Sequence, residues 1–301
     1  MRKLTIGMAT YNDYDGVYFT VQSLRMYHPE VMEDVEFVII NNSPDENHHN
    51  ALNSFCKHVK EPINYVQFTD YSSTAIRNLI FDYANTPYVL VVDCHVLMEP
   101  GSIKRLIDFF DEGKDNGNFL QGPLLHDDLV SVSTSFNDKW GGGMHGQWQQ
   151  DDSYETKDSE PFEIFAQGLG MFACRKDSWL RYSQHFRGFG GEELYIHNKY
   201  RFAGKKTLCL PFARWMHRFT RIGGTPYPNR WADRYRNYII GRLEFGIDYD
   251  DVDNQFEKHI SKEQRDLIKM DVALLFMNET YPNVHVEPDT HIDTKKCNCG
   301  K

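Results

Sequence analysis

Three places in the sequence combine reactive side chains with a backbone setting that would expose them. The first is Asp93-Cys94-His95, directly after the apolar run Tyr88-Val89-Leu90-Val91-Val92. Residues two apart at a strand end project to the same side, so Asp93 and His95 could offer an oxygen and an imidazole nitrogen to a divalent cation. An ordinary strand-end turn accounts equally well for an isolated Asp-x-His. The second is His217 in Trp215-Met216-His217-Arg218-Phe219. Alone it reads as a core histidine; with Asp93 and His95 it would complete a facial set that leaves positions open for a diphosphate. Mixed oxygen and nitrogen ligation suits Mn2+ better than Mg2+, which prefers oxygen and keeps its waters. The third is Phe189-Gly190-Gly191-Glu192-Glu193 at a helix start. Acidic residues there commonly just complement the helix dipole. Two preceding glycines, however, let a ligand approach the backbone closely, which suits a general base. A fourth cluster, Cys297-Asn298-Cys299-Gly300 with His291, reads as a metal-binding or a disordered chain end.

Apolar runs at residues 4–9, 35–40, 63–68 and 88–92 read as strands, and residues 16–27, 72–84 and 100–112 as helices. Ser43-Pro44-Asp45-Glu46 has the form of a capping box with proline at the first helical position, opening a helix to about residue 57. Strands alternating with helices of this length predict a parallel sheet covered on both faces, a doubly wound α/β fold. Ligands of such folds gather at the carboxyl ends of strands, which is where Asp93 and His95 stand. After residue 113 the pattern changes. Gly and Trp cluster at residues 140–143 and 148, and the acidic stretch 151–160 reads as a loop. Strands are expected at 162–166 and 171–174, a helix at 192–203 ending at Gly204, and further helices at 230–243 and 261–278.

With 301 residues, 41% of them hydrophobic and 25% charged, the chain is too apolar for a disordered protein and long enough for a substantial core. No apolar stretch approaches the roughly 20 residues of a membrane span, and the start has no signal-peptide core, so a cytosolic protein is expected. The scattered cysteines read as reduced thiols packed as small hydrophobes. The net charge of -10 hides an asymmetry: residues 175–242 hold fifteen Lys or Arg against four Asp or Glu. That basic stretch is either a set of solvated helix faces or a segment that meets an anionic ligand.

Taken in order, Ala9-Thr10-Tyr11-Asn12, Ile40-Asn41-Asn42-Ser43, Ala75-Ile76-Arg77-Asn78, Asp93-Cys94-His95, Gly168-Leu169-Gly170-Met171-Phe172, Gly190-Gly191-Glu192-Glu193 and His217-Arg218-Phe219 resemble a GT-A glycosyltransferase. The first third is similar to family 2 enzymes; from Gly168 onward the likeness is to polypeptide N-acetylgalactosaminyltransferases and β-1,4-galactosyltransferases. The resemblance implies a Rossmann-like, mostly parallel sheet flanked by helices, with a C-terminal helical extension. It implies that Thr10, Tyr11, Asn12 and Asn42 hold the nucleoside, although Asn41-Asn42 replaces the usual acidic pair and leaves the base open. Arg77 and Cys94 would lie on the nucleotide side, Arg218 and Arg221 by the phosphates, and Gly168 and Gly170 along the donor sugar. Asp93, His95 and His217 match the metal ligands, for Mn2+ or Mg2+. Glu193 stands where the inverting galactosyltransferases carry a carboxylate and the retaining relatives carry Asn, which implies an inverting base, with Glu192 holding hydroxyls.

The implied organisation is a catalytic region over residues 1–221, with a nucleotide-binding half at 1–112 and a sugar and acceptor half at 113–221. Residues 221–236, with Gly223, Gly224 and Trp231, read as a lid over a diphosphate or as a surface loop leading into a helix; the lid loop and helices would occupy 222–285 and a flexible tail 286–301. The expected function is metal-dependent transfer from a nucleotide sugar, a UDP-sugar first, to an acceptor hydroxyl of a glycan or protein. A modified nucleic-acid base is the alternative acceptor, favoured by the basic stretch. A non-catalytic nucleotide-sugar-binding protein is the rival from another class. A nucleotidyltransferase finds no support, because no glycine-rich phosphate loop is present.

Overall fold

The computed structural model describes residues 1–280, so the cluster His291, Cys297 and Cys299 and the expected tail lie outside the described residues. The first half contains strands β1 (Leu4–Thr10), β2 (Val35–Asn41), β3 (Ile63–Gln67), β4 (Tyr88–Val92), β5 (Val96–Met98), β6 (Phe119–Gln121), β7 (Leu124–Leu125), β8 (Val132–Ser133), β9 (Ser135–Gly141) and β10 (Met144–Gln149). Its helices are α1 (Tyr14–Tyr27), α2 (Glu46–His58), α3 (Arg77–Tyr83) and α4 (Ser102–Asp111). The second half adds β11 (Phe162–Glu163), β12 (Met171–Arg175), β13 (Thr207–Cys209) and β14 (Trp215–His217), with α5 (Glu192–Phe202), α6 (Trp231–Glu244), α7 (Asp250–Phe256) and α8 (Lys262–Thr280).

Eight strands form one sheet in the order β11-β13-β6-β12-β4-β1-β2-β3. The four strands β3, β2, β1 and β4 are mutually parallel, as the alternation of apolar runs predicts. Their side chains alternate between two cores. Leu4, Ile6 and Met8 pack with α1, α2 and α4 on one face, whereas Val38, Ile40, Val89 and Val91 pack with α3, α5 and α6 on the other. A strand buried on both faces tolerates a polar residue only if it is hydrogen-bonded. Fully buried Thr5 meets that condition, donating to Glu36 Oε1 at 2.8 Å and sharing a 2.7 Å bond with the Thr86 hydroxyl.

Beyond β4 the sheet becomes mixed, because β12 enters antiparallel between β4 and β6, and β11 pairs antiparallel with β13. The strand expected over 162–166 is confined to Phe162–Glu163, and the Ala166 carbonyl is drawn instead to the Phe136 N–H at 2.6 Å. The Gly and Trp cluster is a hairpin, β9 against β10, with Trp148 opposite Phe136. At α2 the cap is Asp45 rather than Ser43: Asp45 Oδ1 accepts the Asn47 and His48 N–H groups at 2.8 and 3.1 Å. Ser43 stays outside, accepting the Asp45 N–H at 3.0 Å, because Asp45 already stands in the extended conformation of an N-cap. The segment over 72–84 opens as a 3-10 turn, since the Thr74 N–H is drawn out to the Gly188 carbonyl at 3.1 Å.

The basic stretch is not one face. Arg175 pairs with Asp115, Arg181 with Asp82, Lys206 with Glu163, Arg214 with Glu99 and Arg242 with Asp251. Its positive charge is therefore largely neutralised by acids from the flanks, and of its arginines only Arg221 lines the cleft described below. No described helix is long and apolar enough to cross a membrane.

Candidate active site

β1 and β4 are neighbours, but the chain leaves β1 toward β2 and leaves β4 toward β6 on the other side, so their carboxyl ends diverge into a crevice. Thr10 and Tyr11 enter it from β1, and Asp93, Cys94 and His95 from β4. A small second sheet delivers the remaining histidine. β14 pairs antiparallel with β5, setting His217 opposite Val96, and the Arg218 N–H donates to the His95 carbonyl at 3.2 Å. Two histidines 122 residues apart thereby bring their Nε2 atoms to 3.0 Å. His217 Nε2 also lies 3.3 Å from Asp93 Oδ2, while Arg77 Nη2 donates to Asp93 Oδ1 at 2.8 Å.

One proton at most can lie between two facing imidazole nitrogens, so this set leaves lone pairs converging on one point. One ligand atom from each of Asp93, His95 and His217 falls within 4.8 Å of the others, a donor set that fits a divalent cation. The tautomer is fixed from behind: His95 Nδ1 donates to Asp13 Oδ2 at 3.0 Å, which turns the Nε2 lone pair inward. Asp13 in turn accepts from Arg218 at 2.9 Å and caps α1 through the Gly16 N–H. The sequence reading missed Asp13; its one local sign is an acid just past the end of β1.

Burial opposes ionisation of Asp93, but the Arg77 charge and the neighbouring imidazoles outweigh it and hold the carboxyl well below its ordinary range. Asp13 behaves alike, burial being overcome by His95 and Arg218. Burial lowers the His95 pKa, which favours the neutral, ligating imidazole.

The crevice has two adjoining compartments. One spans about 690 Å³, counting space open to solvent, and is lined by Thr10, Tyr11, Asn42, Cys94 and residues 72–74. The other spans about 1010 Å³ on the same basis and is lined by Gly168, Gly170, Glu192, Glu193 and the aromatic rings of Phe136, Trp148, Trp215 and Phe219. Arg77, Asp93, His95, Phe189, Arg221 and Tyr227 form the shared wall. Gly170 has no room for a side chain, since a Cβ there would lie 2.6 Å from the Trp215 ring.

Two expected residues fall outside both compartments. Asn12, at φ +50°, accepts a bond from the Ser43 hydroxyl, and Arg218 is turned to Asp13. Asn42 lines the first compartment, but its Nδ2 is spent on the Phe68 and Tyr71 carbonyls, both at 2.8 Å. Of the segment expected as a lid, residues 221–230 form a loop whose Tyr227 packs against Phe189 at 5.5 Å. Trp231 to Arg236 instead begin α6, with Trp231 stacked 3.8 Å from His259.

Gly191, at φ +88°, turns the chain into α5 and presents Glu192 and Glu193 to the second compartment. Glu192 Oε2 accepts the Gly190 N–H at 2.7 Å. Among the described residues no other side chain hydrogen-bonds the Glu193 carboxylate. Burial raises both acids, and the adjacent Glu193 charge adds to the shift of Glu192, which is pushed up to about 8.

Gly16, in the first turn of α1, supports the Asp93-Cys94-His95 turn by close approach: a Cβ there would lie 2.3 Å from the Cys94 carbonyl oxygen. Helix propensity alone would make Gly16→Ala stabilising by about 1 kcal/mol. The clash is expected to reverse that sign, destabilising by roughly 1–3 kcal/mol and lowering turnover, as thermal melts and rate assays of the variant will read.

The model of the glycosyl transferase family 2 domain matches residues 5–178 of the chain. No curated protein matches it by sequence. Among solved structures, GalNAc-T7 with UDP, GalNAc and Mn2+ is similar at a TM-score of 0.66 and 14% identity, over 92% of this chain and 56% of that one. S. aureus TarS 1–349 in complex with UDP-GlcNAc is similar at 0.56 and 14% identity, over 92% of this chain and 81% of that one. The chain therefore spans little more than half of the GalNAc-T7 chain, and at these identities the likeness is one of fold.

Proposed function

The chain belongs to glycosyl transferase family 2 and is a glycosyltransferase of GT-A fold, and from that premise we propose how it works. The donor is a nucleotide sugar, a UDP-sugar first, with its nucleoside in the compartment of Thr10, Tyr11 and Asn42 and its sugar beside Gly168 and Gly170. Residues 1–112 are assigned to the nucleotide side and residues 113–221 to the sugar and acceptor side. The observation that carries this reading is the convergence of Asp93, His95 and His217 on the wall the two compartments share.

Those three residues would hold a divalent cation, Mn2+ before Mg2+, and when bound the ion supplies positive charge where the leaving diphosphate becomes more negative. Arg221, with Nη2 2.9 Å from His95 Nε2, adds a cation on the same side. Arg77 keeps Asp93 ionised and aimed. Glu193 takes the proton of the acceptor hydroxyl in an inverting displacement, while Glu192, anchored on the Gly190 N–H, orients hydroxyl groups. The aromatic lining of the second compartment suits the apolar face of a sugar ring, and a glycan or protein hydroxyl is the acceptor.

A thermal-shift panel of nucleotides and nucleotide sugars, with and without Mn2+, tests the donor. Stabilisation by a UDP-sugar that requires Mn2+ is expected, and its absence across the panel would remove the proposal. The pH profile is a second test. A base must be ionised, and buried carboxyls with raised pKa values keep their proton further into the neutral range than exposed ones. Activity should therefore fall as pH drops through the raised range of Glu193, above the limb of an ordinary carboxylate.

A further inference from the structure

His95 has a second nitrogen, and its surroundings are those of a different metal. Its Nδ1 lies 3.5 Å from Cys94 Sγ and 3.0 Å from Asp13 Oδ2, and Cys94 Sγ lies 3.6 Å from the same Asp13 oxygen. With metal–sulfur distances near 2.3 Å and metal–nitrogen or –oxygen distances near 2.0–2.2 Å, a tetrahedral zinc site has ligand edges of about 3.3–3.6 Å. The three atoms thus already lie nearly at the spacing of a bound zinc ion. Their side chains are mostly buried, yet all three residues line the first compartment, which gives an ion a path and a water for the fourth position.

We propose that Asp13, Cys94 and His95 form a second site, sharing His95 with the first, for a thiophilic divalent ion, Zn2+ or Cd2+, and that its occupation switches the enzyme off. The thiolate selects soft ions and leaves Mn2+ and Mg2+ to the sulfur-free cluster of Asp93, His95 and His217. On binding, the Cys94 thiol proton leaves to solvent and the His95 proton moves from Nδ1 to Nε2. A neutral imidazole carries one lone pair, so His95 cannot serve both ions: capture at Nδ1 withdraws Nε2 from Asp93 and His217. The site itself stands on geometry alone, whereas its inhibitory effect rests on the proposed function.

The test uses the full chain with Cys297→Ser and Cys299→Ser, so that the described cysteines are the remaining thiols. Titration with Cd2+ should give an ultraviolet sulfur-to-metal charge-transfer band that saturates at one ion per chain. The band should vanish in both Cys94→Ser and Cys94→Ala, with circular dichroism reporting their folding, and persist in His217→Asn. No band in the parent, an undiminished band in either folded Cys94 variant, or loss of the band in His217→Asn would overturn the site. If the band behaves as expected, Zn2+ should abolish Mn2+-supported donor turnover, with recovery after chelation and fresh Mn2+. A protein that shows the band but has no Mn2+-dependent turnover would count against the functional reading and leave the site intact.

Discussion

Asp93→Asn is expected to lower sugar transfer by roughly 10³-fold, the equivalent of about 4 kcal/mol of transition-state stabilisation, while the chain stays folded. Asparagine keeps an oxygen for Arg77 Nη2, now 2.8 Å from Asp93 Oδ1, so the local frame survives. What is lost is the negative charge that, with His95 and His217, would hold the cation. Asp93→Ala should behave differently. It leaves the Arg77 guanidinium, 11% exposed, without its partner, and stranding one member of a buried pair costs up to about 3–5 kcal/mol. Because the folded-state pKa of Asp93 is lowered, its contribution to stability is present above the ordinary carboxylate pKa and is lost as pH falls. The Ala variant should therefore melt below the parent at neutral pH and approach it in acid. Initial rates at saturating Mn2+ and melting curves across pH measure both effects. An Asn variant within tenfold of the parent rate would show that Asp93 does not hold a required cation.

Glu193→Gln should lower kcat by about 10²–10⁴-fold with little change in KM, as expected for loss of a general base that acts only in the transition state. Glutamine preserves the volume and removes a charge that burial disfavours. The sign for stability follows: a carboxyl with a raised folded-state pKa weakens the fold as pH rises from its unfolded value, so the Gln variant should melt no lower than the parent at alkaline pH. Product stereochemistry supplies an independent reading, since a base at Glu193 predicts an inverted anomeric configuration, visible in the proton spectrum of the first-formed product. Retention of configuration, or a larger kcat loss in Glu192→Gln than in Glu193→Gln, would move the base elsewhere.

The first four strands, α1 and the Asp-x-His turn were readable because each is specified by neighbours in the chain. A two-sided apolar run, a cap and a strand end are local facts, and the parallel pairing of β1 to β4 follows from the lengths of their connections. Glu192 and Glu193 were legible for the same reason: Gly190 and Gly191 before a helix mark where the chain must turn. The resemblance across Thr10, Asp93, Gly168, Glu193 and His217 then joined these local features into one site. It could not show that Asn12 is bound to Ser43, or that Arg218 turns to Asp13 instead of the cleft.

Other features depended on distant pairing. β7, β8 and β14 are two or three residues long, too short for any periodicity, and exist because partners complete their hydrogen bonds. The antiparallel entry of β12 beside β4 is likewise a matter of which edge was free, not of the strand's own residues. Sequence by itself determined the fold class, the local elements and the residue types able to hold a cation or move a proton. Only the tertiary structure decided their geometry. The β14–β5 register brings two imidazole nitrogens together, a half-buried Asp13 orients one of the rings, and burial moves two adjacent carboxyls toward neutrality. Hydrogen-bond direction and desolvation belong to surroundings assembled from the whole chain, which no stretch of residues carries within itself.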